Sequence, residues 1–274
     1  MERNRIYQMD NLEGMRLLDD ACIDLTVTSP PYEDLRSYDG FRMDFETTAN
    51  ELYRITKEGG VVVWVVGDKT QKGSESGKSF EQALYFKSIG FRLHDTMIYL
   101  KENPMPQNHN RYEQAFEYMF VFSKGRPKTF NPLKEPSKTA GQVYDYSKRG
   151  GAATEQEGNP IMRKKKDVYQ TKTEKVKSNV WGYLVGMYKS TSDKIAFQHP
   201  AIFPEALAQD HILSWSNPGD VVFDPFSGSG TTAKMAFLND RYYIAFEVSE
   251  VYVGISDERL AMARQSVLDA AANE

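Results

Sequence analysis

The stretch Thr28-Ser29-Pro30-Pro31-Tyr32 places a small hydroxyl, a proline-linked carbonyl and an aromatic ring within a few positions of one another. Together these groups could hold a flat, polar substrate by hydrogen bonding and stacking. The run before them, Ile23-Asp24-Leu25-Thr26-Val27, reads as a short buried strand. Proline has no N–H and a fixed φ, so two in succession cannot continue a parallel ladder. The chain must leave the sheet at Pro30 in a stiff, extended turn. In open α/β sheets the carboxyl end of a strand is where ligands bind. Taken alone, the same residues are equally a turn that merely ends a strand.

A second motif lies far along the chain, at Asp224-Pro225-Phe226-Ser227-Gly228-Ser229-Gly230-Thr231-Thr232. It follows the strand-like run Asp220-Val221-Val222-Phe223 and precedes a helix-like run from Ala233 to Leu238. Glycines there let the backbone approach a ligand closely, and the following helix offers unpaired N–H groups. Thr231 and Thr232 stand where a P-loop needs lysine, which excludes that class of phosphate site. The next strand-like run, Tyr242 to Phe246, ends in Glu247, and a carboxylate there is suited to ribose hydroxyls. Loop and acid together point to a nucleoside-bearing cofactor.

The pairing of Thr-Ser-Pro-Pro-Tyr with Asp-Pro-Phe-x-Gly-Ser-Gly-Thr-Thr resembles the S-adenosylmethionine-dependent DNA amino-methyltransferases, and the motif order resembles their beta class. His199-Pro-Ala-Ile-Phe-Pro204, Asn217-Pro218-Gly219-Asp220 and Glu113 to Lys124 are similar to further segments of that family, so the likeness spans most of the chain except its middle. The resemblance implies a Rossmann-like α/β sheet, circularly permuted, mostly parallel with a late antiparallel strand, and carrying a basic insertion. It implies S-adenosyl-L-methionine as cofactor and double-stranded DNA as substrate. A homodimer and a cognate restriction endonuclease are further partners it allows. Ser29, Pro30, Pro31 and Tyr32 would be catalytic. Asp10, His199, Pro200, Phe203, Glu247, Val248 and the loop residues Asp224, Pro225, Phe226, Ser227, Gly228, Ser229, Gly230, Thr231 and Thr232 would bind cofactor. Asp10 is also a candidate helix N-cap, and Met9 stands before it where the family commonly has glycine.

An exocyclic base amine is a poor nucleophile, because its lone pair is delocalised into the ring. It must be held in line with the methyl donor, its hydrogens bonded to acceptors. Ser29 Oγ and the Pro30 carbonyl are the acceptors expected here, with Tyr32 stacking on a base flipped from the duplex. Serine at the first motif position associates with cytosine N4 in this family, so N4-cytosine is favoured over N6-adenine. A non-catalytic DNA-binding module of the same fold is the competing reading from another class. RNA or a protein glutamine is a further substrate alternative. The recognition sequence is not encoded in any motif that can be read.

Composition sets wider bounds. The 274 residues are 40% hydrophobic and 26% charged, an ordinary balance for a globular chain. No run approaches the length of a membrane span, and the charged N-terminus lacks the apolar core of a signal peptide, so a cytoplasmic location is expected. Cys22 is the sole cysteine, which excludes an internal disulfide and a cysteine-rich zinc site. It is expected in the core at the start of a strand, not as the thiolate that methylation of a ring carbon requires. The histidines at 94, 109, 199 and 211 lack metal-ligand spacing, so no metal is expected, and all but His199 read as satisfied structural residues. The net charge of −4 conceals an asymmetry: residues 123–198 hold 16 Lys and Arg against 7 Asp and Glu. Such a segment is suited to a nucleic-acid backbone, with Arg163, Lys164, Lys165 and Lys166 as its densest run and Arg36 as a further contact. A solvated basic loop is the plain alternative.

Three segments follow: a catalytic half at 1–123, a target-recognition insertion at 124–198 and a cofactor-binding half at 199–274. Strands are expected over residues 3–9, 23–27, 61–66, 91–100 and 114–122, and helices over 11–18, 47–56, 80–88, 201–214 and 249–271. The insertion has prolines, a Gly-Gly pair and no sustained period, which predicts no particular fold. If Asp10 and Glu247 share one cofactor, their strands must be neighbours and the last helix must return beside the first strand.

Overall fold

The computed structural model describes residues 1–31, 43–106, 110–145 and 168–272. In chain order the strands are β1 (Arg5–Gln8), β2 (Ile23–Thr28), β3 (Thr56–Val66), β4 (Thr70–Gln71), β5 (Ser74–Glu75), β6 (Arg92–Lys101), β7 (Phe116–Ser123), β8 (Lys134–Pro136), β9 (Val143–Asp145), β10 (Val168–Gln170), β11 (Glu174–Val176), β12 (Val180–Tyr183), β13 (Val221–Asp224) and β14 (Tyr242–Glu247). The helices are α1 (Asn11–Arg16), α2 (Phe45–Ile55), α3 (Lys78–Ser88), α4 (Glu205–Trp215), α5 (Thr231–Leu238) and α6 (Glu250–Ala272). The chain divides into two compact units, residues 132–178 and the remainder.

The larger unit is built on an eight-stranded sheet in the order β1-β14-β13-β2-β3-β7-β6-β12. The pairings are parallel except those of β7, which is antiparallel to both β3 and β6. The sheet is therefore mostly parallel with a late antiparallel strand, as the sequence suggests. Val61 to Val66 shows no alternation because it is covered on both faces, with Trp64 fully buried. The edgeward β6 does alternate between exposed and covered positions. Helix α2 buries Thr48, Ala49, Leu52 and Ile55 at helical spacing, and its first turn is capped by Asp44, which accepts from Thr47 N. The aromatic core gathers on this side, where Phe86 stacks on Phe122 at 4.5 Å and meets Trp64 edge-on.

The first strand pairs with the last: Gln8 lies opposite Glu247, and Met9 N donates to the Glu247 carbonyl at 3.0 Å. Asp10 and Glu247 thus follow and end neighbouring strands, and α6 packs beside β1. Cys22 sits just ahead of β2, half-buried at the edge of the core and not within it. His211 is fully buried, as a structural residue should be, but its Nδ1 has no hydrogen-bond partner among the described residues, and burial pushes its pKa down to about 3. It is held as the neutral ring, with Nε2 against Met119 Sδ at 3.2 Å.

In the smaller unit, β8 pairs with β11 and β9 with β10, each antiparallel over three residues. Side chains of β10 and β11 are exposed throughout. Pairs this short, with no buried face, leave no periodicity to read, which is why the sequence predicts no fold here. No helix among the described residues is long and apolar enough to cross a membrane, and none of their His, Cys, Asp and Glu side chains cluster as a metal site.

Candidate active site

Because seven strands run one way, their carboxyl ends share an edge, and a cavity of about 750 Å³ opens there. Strand β2 delivers Ser29, Pro30 and Pro31 to its wall, and β13 delivers Asp224 through Phe226 and the glycine loop. Glu247 and Val248 enter from β14, and His199, Pro200 and Phe203 from the segment before α4. Ser227, Gly228, Ser229, Thr231 and Thr232 also face it. Residues from widely separated motifs therefore meet in one place.

Gly228 has φ +51°, and a Cβ there would lie 2.9 Å from His199 Nε2, so a side chain would collide with the ring that closes the loop. Gly230, at φ +77°, is packed from behind: a Cβ would meet Ser256 Cβ at 2.7 Å. Gly230 does not itself line the cavity. His199 packs edge-on against Tyr252 at 4.4 Å, and its Nδ1 is held by the backbone of Ala201.

Glu247 turns its carboxylate onto backbone donors, accepting from Gly228 N at 2.8 Å and Ser249 N at 2.9 Å. Burial raises its pKa, and the N–H groups of Ser249, Gly228 and Val248 restrain the rise. Two carboxylate oxygens offer about four lone pairs, so capacity remains for a ligand's hydroxyls. Asp224 accepts from Thr28 Oγ1 at 2.7 Å and Phe226 N at 3.0 Å, with no cation paired to it among the described residues. Burial pushes its pKa up to about 6, opposed by the bonds from Thr28, Phe226 and Thr232 and aided by the charge of Glu247. Asp224 thereby ties the residue before Ser29 to the start of the glycine loop. Ser227 Oγ is buried on the cavity wall without a hydrogen-bond partner among the described residues. An orphaned hydroxyl in such a place is suited to a ligand that supplies the missing bond.

Asp10 caps α1, its Oδ1 accepting from Leu12 N at 2.9 Å and Glu13 N at 3.2 Å. It stands between Met9 and Asn11, which line the cavity, but is not on the wall itself. Tyr32, Arg36 and the run Arg163, Lys164, Lys165 and Lys166 lie outside the described residues. The cavity is also lined by residues that were not among the expected site residues: Tyr99, Lys101, Gln114, Glu117 and Met187. Lys101 and Glu117 form an ion pair at 2.6 Å. Their position at the carboxyl end of β6 and the amino end of the opposed β7 is the signal that marks them, once the strand order is known.

The mostly parallel α/β sheet thus gathers the glycine loop, the acidic strand end and the Ser-Pro-Pro turn around one cavity. The DNA methylase family model matches residues 23–258, and the chain belongs to that family of amino-methyltransferases. It is 60% identical over 242 residues to the orphan methyltransferase M.BamHII of Bacillus amyloliquefaciens, spanning 88% of this chain and 89% of that one. It is 26% identical over 274 residues to the DNA adenine methyltransferase YhdJ of Escherichia coli, covering 96% of this chain and 84% of that one. Among solved structures, the PvuII cytosine-N4-specific DNA methyltransferase superposes with a TM-score of 0.66 at 20% identity, covering 94% of this chain and 86% of that one.

Proposed function

We propose that this chain transfers a methyl group from S-adenosyl-L-methionine to the exocyclic N4 of cytosine in double-stranded DNA. The single observation that carries the reading is the convergence of Ser29-Pro30-Pro31 with the glycine loop and Glu247 on one cavity. A cavity of about 750 Å³ is within the size of sites that take a cofactor with part of a substrate. The residues present are suited to the cofactor: Glu247 to the ribose hydroxyls, Val248 and Phe226 to the adenine, and the orphaned Ser227 hydroxyl to a polar group. The S-adenosylmethionine complex of M1.HpyAVI shares the fold, with a TM-score of 0.61.

The cofactor supplies a methyl on a sulfonium, which needs a well-placed acceptor and no covalent enzyme intermediate. Ser29 Oγ and the Pro30 carbonyl orient the amine by accepting its hydrogens, and Tyr32 stacks on the base. The Thr28–Asp224 bond fixes the strand end that carries them. The basic insertion, through Arg163 to Lys166 and with Arg36 nearer the turn, engages the DNA backbone. Adenine N6 is the alternative target, and a relative named as an adenine enzyme is what speaks for it.

The test is digestion of DNA from cells that express the chain, followed by mass spectrometry of the nucleosides. N4-methylcytosine is expected above the level of an empty-vector control. N6-methyladenine alone moves the target to adenine. Neither product, from a chain that binds cofactor and DNA, leaves a DNA-binding module.

A further inference from the structure

Arg259, on α6, is fully buried and does not reach the cavity. A guanidinium can be buried only if its donors are satisfied. Here Nε donates to Asp193 Oδ2 at 2.9 Å and Nη2 to Glu205 Oε1 at 2.6 Å. Nη1 donates to the Ser229 carbonyl, and lies 3.1 Å from both Ser229 Oγ and Thr231 Oγ1. A second cation, Lys234 of α5, shares the same two carboxylates, each at 2.7 Å. Two cations, both buried, and two half-buried anions thus close a ring of balanced charge. Burial raises the Asp193 carboxyl pKa, but the bonds from Lys234 and Arg259 outweigh it and hold the group below its ordinary value.

The ring joins two adjoining backbone segments that both line the cavity. Glu205 opens α4 directly after the segment 199–204, and Ser229 and Thr231 belong to the glycine loop. One turn earlier on α6, Ser256 Oγ donates to the Gly228 carbonyl at 3.0 Å. Successive loop carbonyls, at 228 and 229, are therefore both held from behind by side chains of one helix face. We propose that Arg259 is a positioning residue for the cofactor site, fixing the glycine loop and the His199–Pro204 segment at once so that the cofactor meets a preformed cradle.

The inference rests on the cofactor reading above, and calorimetry separates the two. If the unaltered chain takes up no S-adenosylmethionine, that reading fails whatever Arg259 does. If it binds, Arg259→Lys keeps a charge for Asp193 and Glu205 but loses the forked reach to Ser229 and Thr231. Its dissociation constant for S-adenosylmethionine should rise about ten-fold or more, while methyl transfer to unmethylated DNA at saturating cofactor stays within about twofold. Arg259→Met should weaken binding further, so that lysine acts as a partial rescue. An unchanged dissociation constant in folded Arg259→Lys, or a fall in the saturated rate without loss of affinity, overturns the proposal. Should both variants fail to fold by circular dichroism, Ser256→Ala decides, because it removes one loop contact and no charge. A several-fold loss of cofactor affinity there supports the cradle, and none refutes it.

Discussion

Asp24 and Asp224 are buried carboxylates on neighbouring strands, yet they sit at opposite ends of the sheet and their pKa values are shifted in opposite directions. Asp24, near the start of β2, is 3% exposed, and burial alone would raise its pKa. Hydrogen bonds from Lys128, Lys57 and the Val221 N–H outweigh that and bring it below the ordinary carboxylate value. Asp224, at the end of β13, is 5% exposed and has hydroxyl and amide donors but no cation among the described residues, and burial carries it to about 6. The amino end of the sheet is neutralised by its own chain. The carboxyl end keeps an uncompensated acid beside a large cavity, and such imbalance marks places that bind or react.

That contrast can be broken from either end. The largest effect is expected from Ser29→Ala: transfer at saturating cofactor should fall roughly 10²- to 10³-fold, as when a preorganised hydrogen-bond partner of a reacting group is removed. Melting temperature and cofactor affinity should stay near those of the parent, and an equal loss of stability would erase the distinction between the two ends. Asp24→Asn should do the reverse, lowering stability by about 2–3 kcal/mol at pH 7 in denaturant titration, discounted because Lys57 and Lys128 are 34% and 45% exposed. The Asp24 contribution is present above the unfolded carboxylate pKa and is lost as pH falls through its lowered folded value, so the deficit should close in acid.

Asp224 has the opposite sign. Its folded pKa is raised, so its contribution is full below pH ~4 and is lost as pH rises through about 6. Asp224→Asn keeps an oxygen for Thr28 and Phe226 without the buried charge, and should gain about 2 kcal/mol over the parent at pH 7 and little at pH 4. A gain independent of pH would mean that charge is not the cause. Glu247→Ala should weaken cofactor binding by roughly 1–3 kcal/mol in calorimetry, the loss typical of charge-assisted hydrogen bonds. Smallest, Asp10→Ala should cost about 1 kcal/mol of stability through the lost cap of α1, while Asp10→Asn, which still accepts from Leu12 and Glu13, should cost a few tenths.

The two ends also differ in how far they could be read from sequence. At the carboxyl end, prolines, glycines and an acid after apolar runs announce themselves, because each answers a local backbone demand. The core run Val61 to Val66 was legible for the same reason. The cage of Asp24 was not, since its lysines are 33 and 104 positions away and nothing local distinguishes them. Arg259 follows Asp257 and Glu258 on a long helix and reads as a solvated face, although it is fully buried. Strand β12 has only four residues, Val180 to Tyr183, too few to set a period, although it extends the central sheet beside β6.

The pairing of β1 with β14 has a consequence for the order of folding. Asn4 Oδ1 accepts from Tyr243 N across 239 positions, and among the described residues β1 meets the sheet only through β14. On a ribosome, β2, β3, β7 and β6 can pair while the first strand waits for one of the last segments to emerge. Contacts of such sequence separation slow folding, because a long loop must close before they form. In pulse-labelled hydrogen exchange, the amides of residues 5–8 should therefore become protected late, together with the cradle that Glu247 completes.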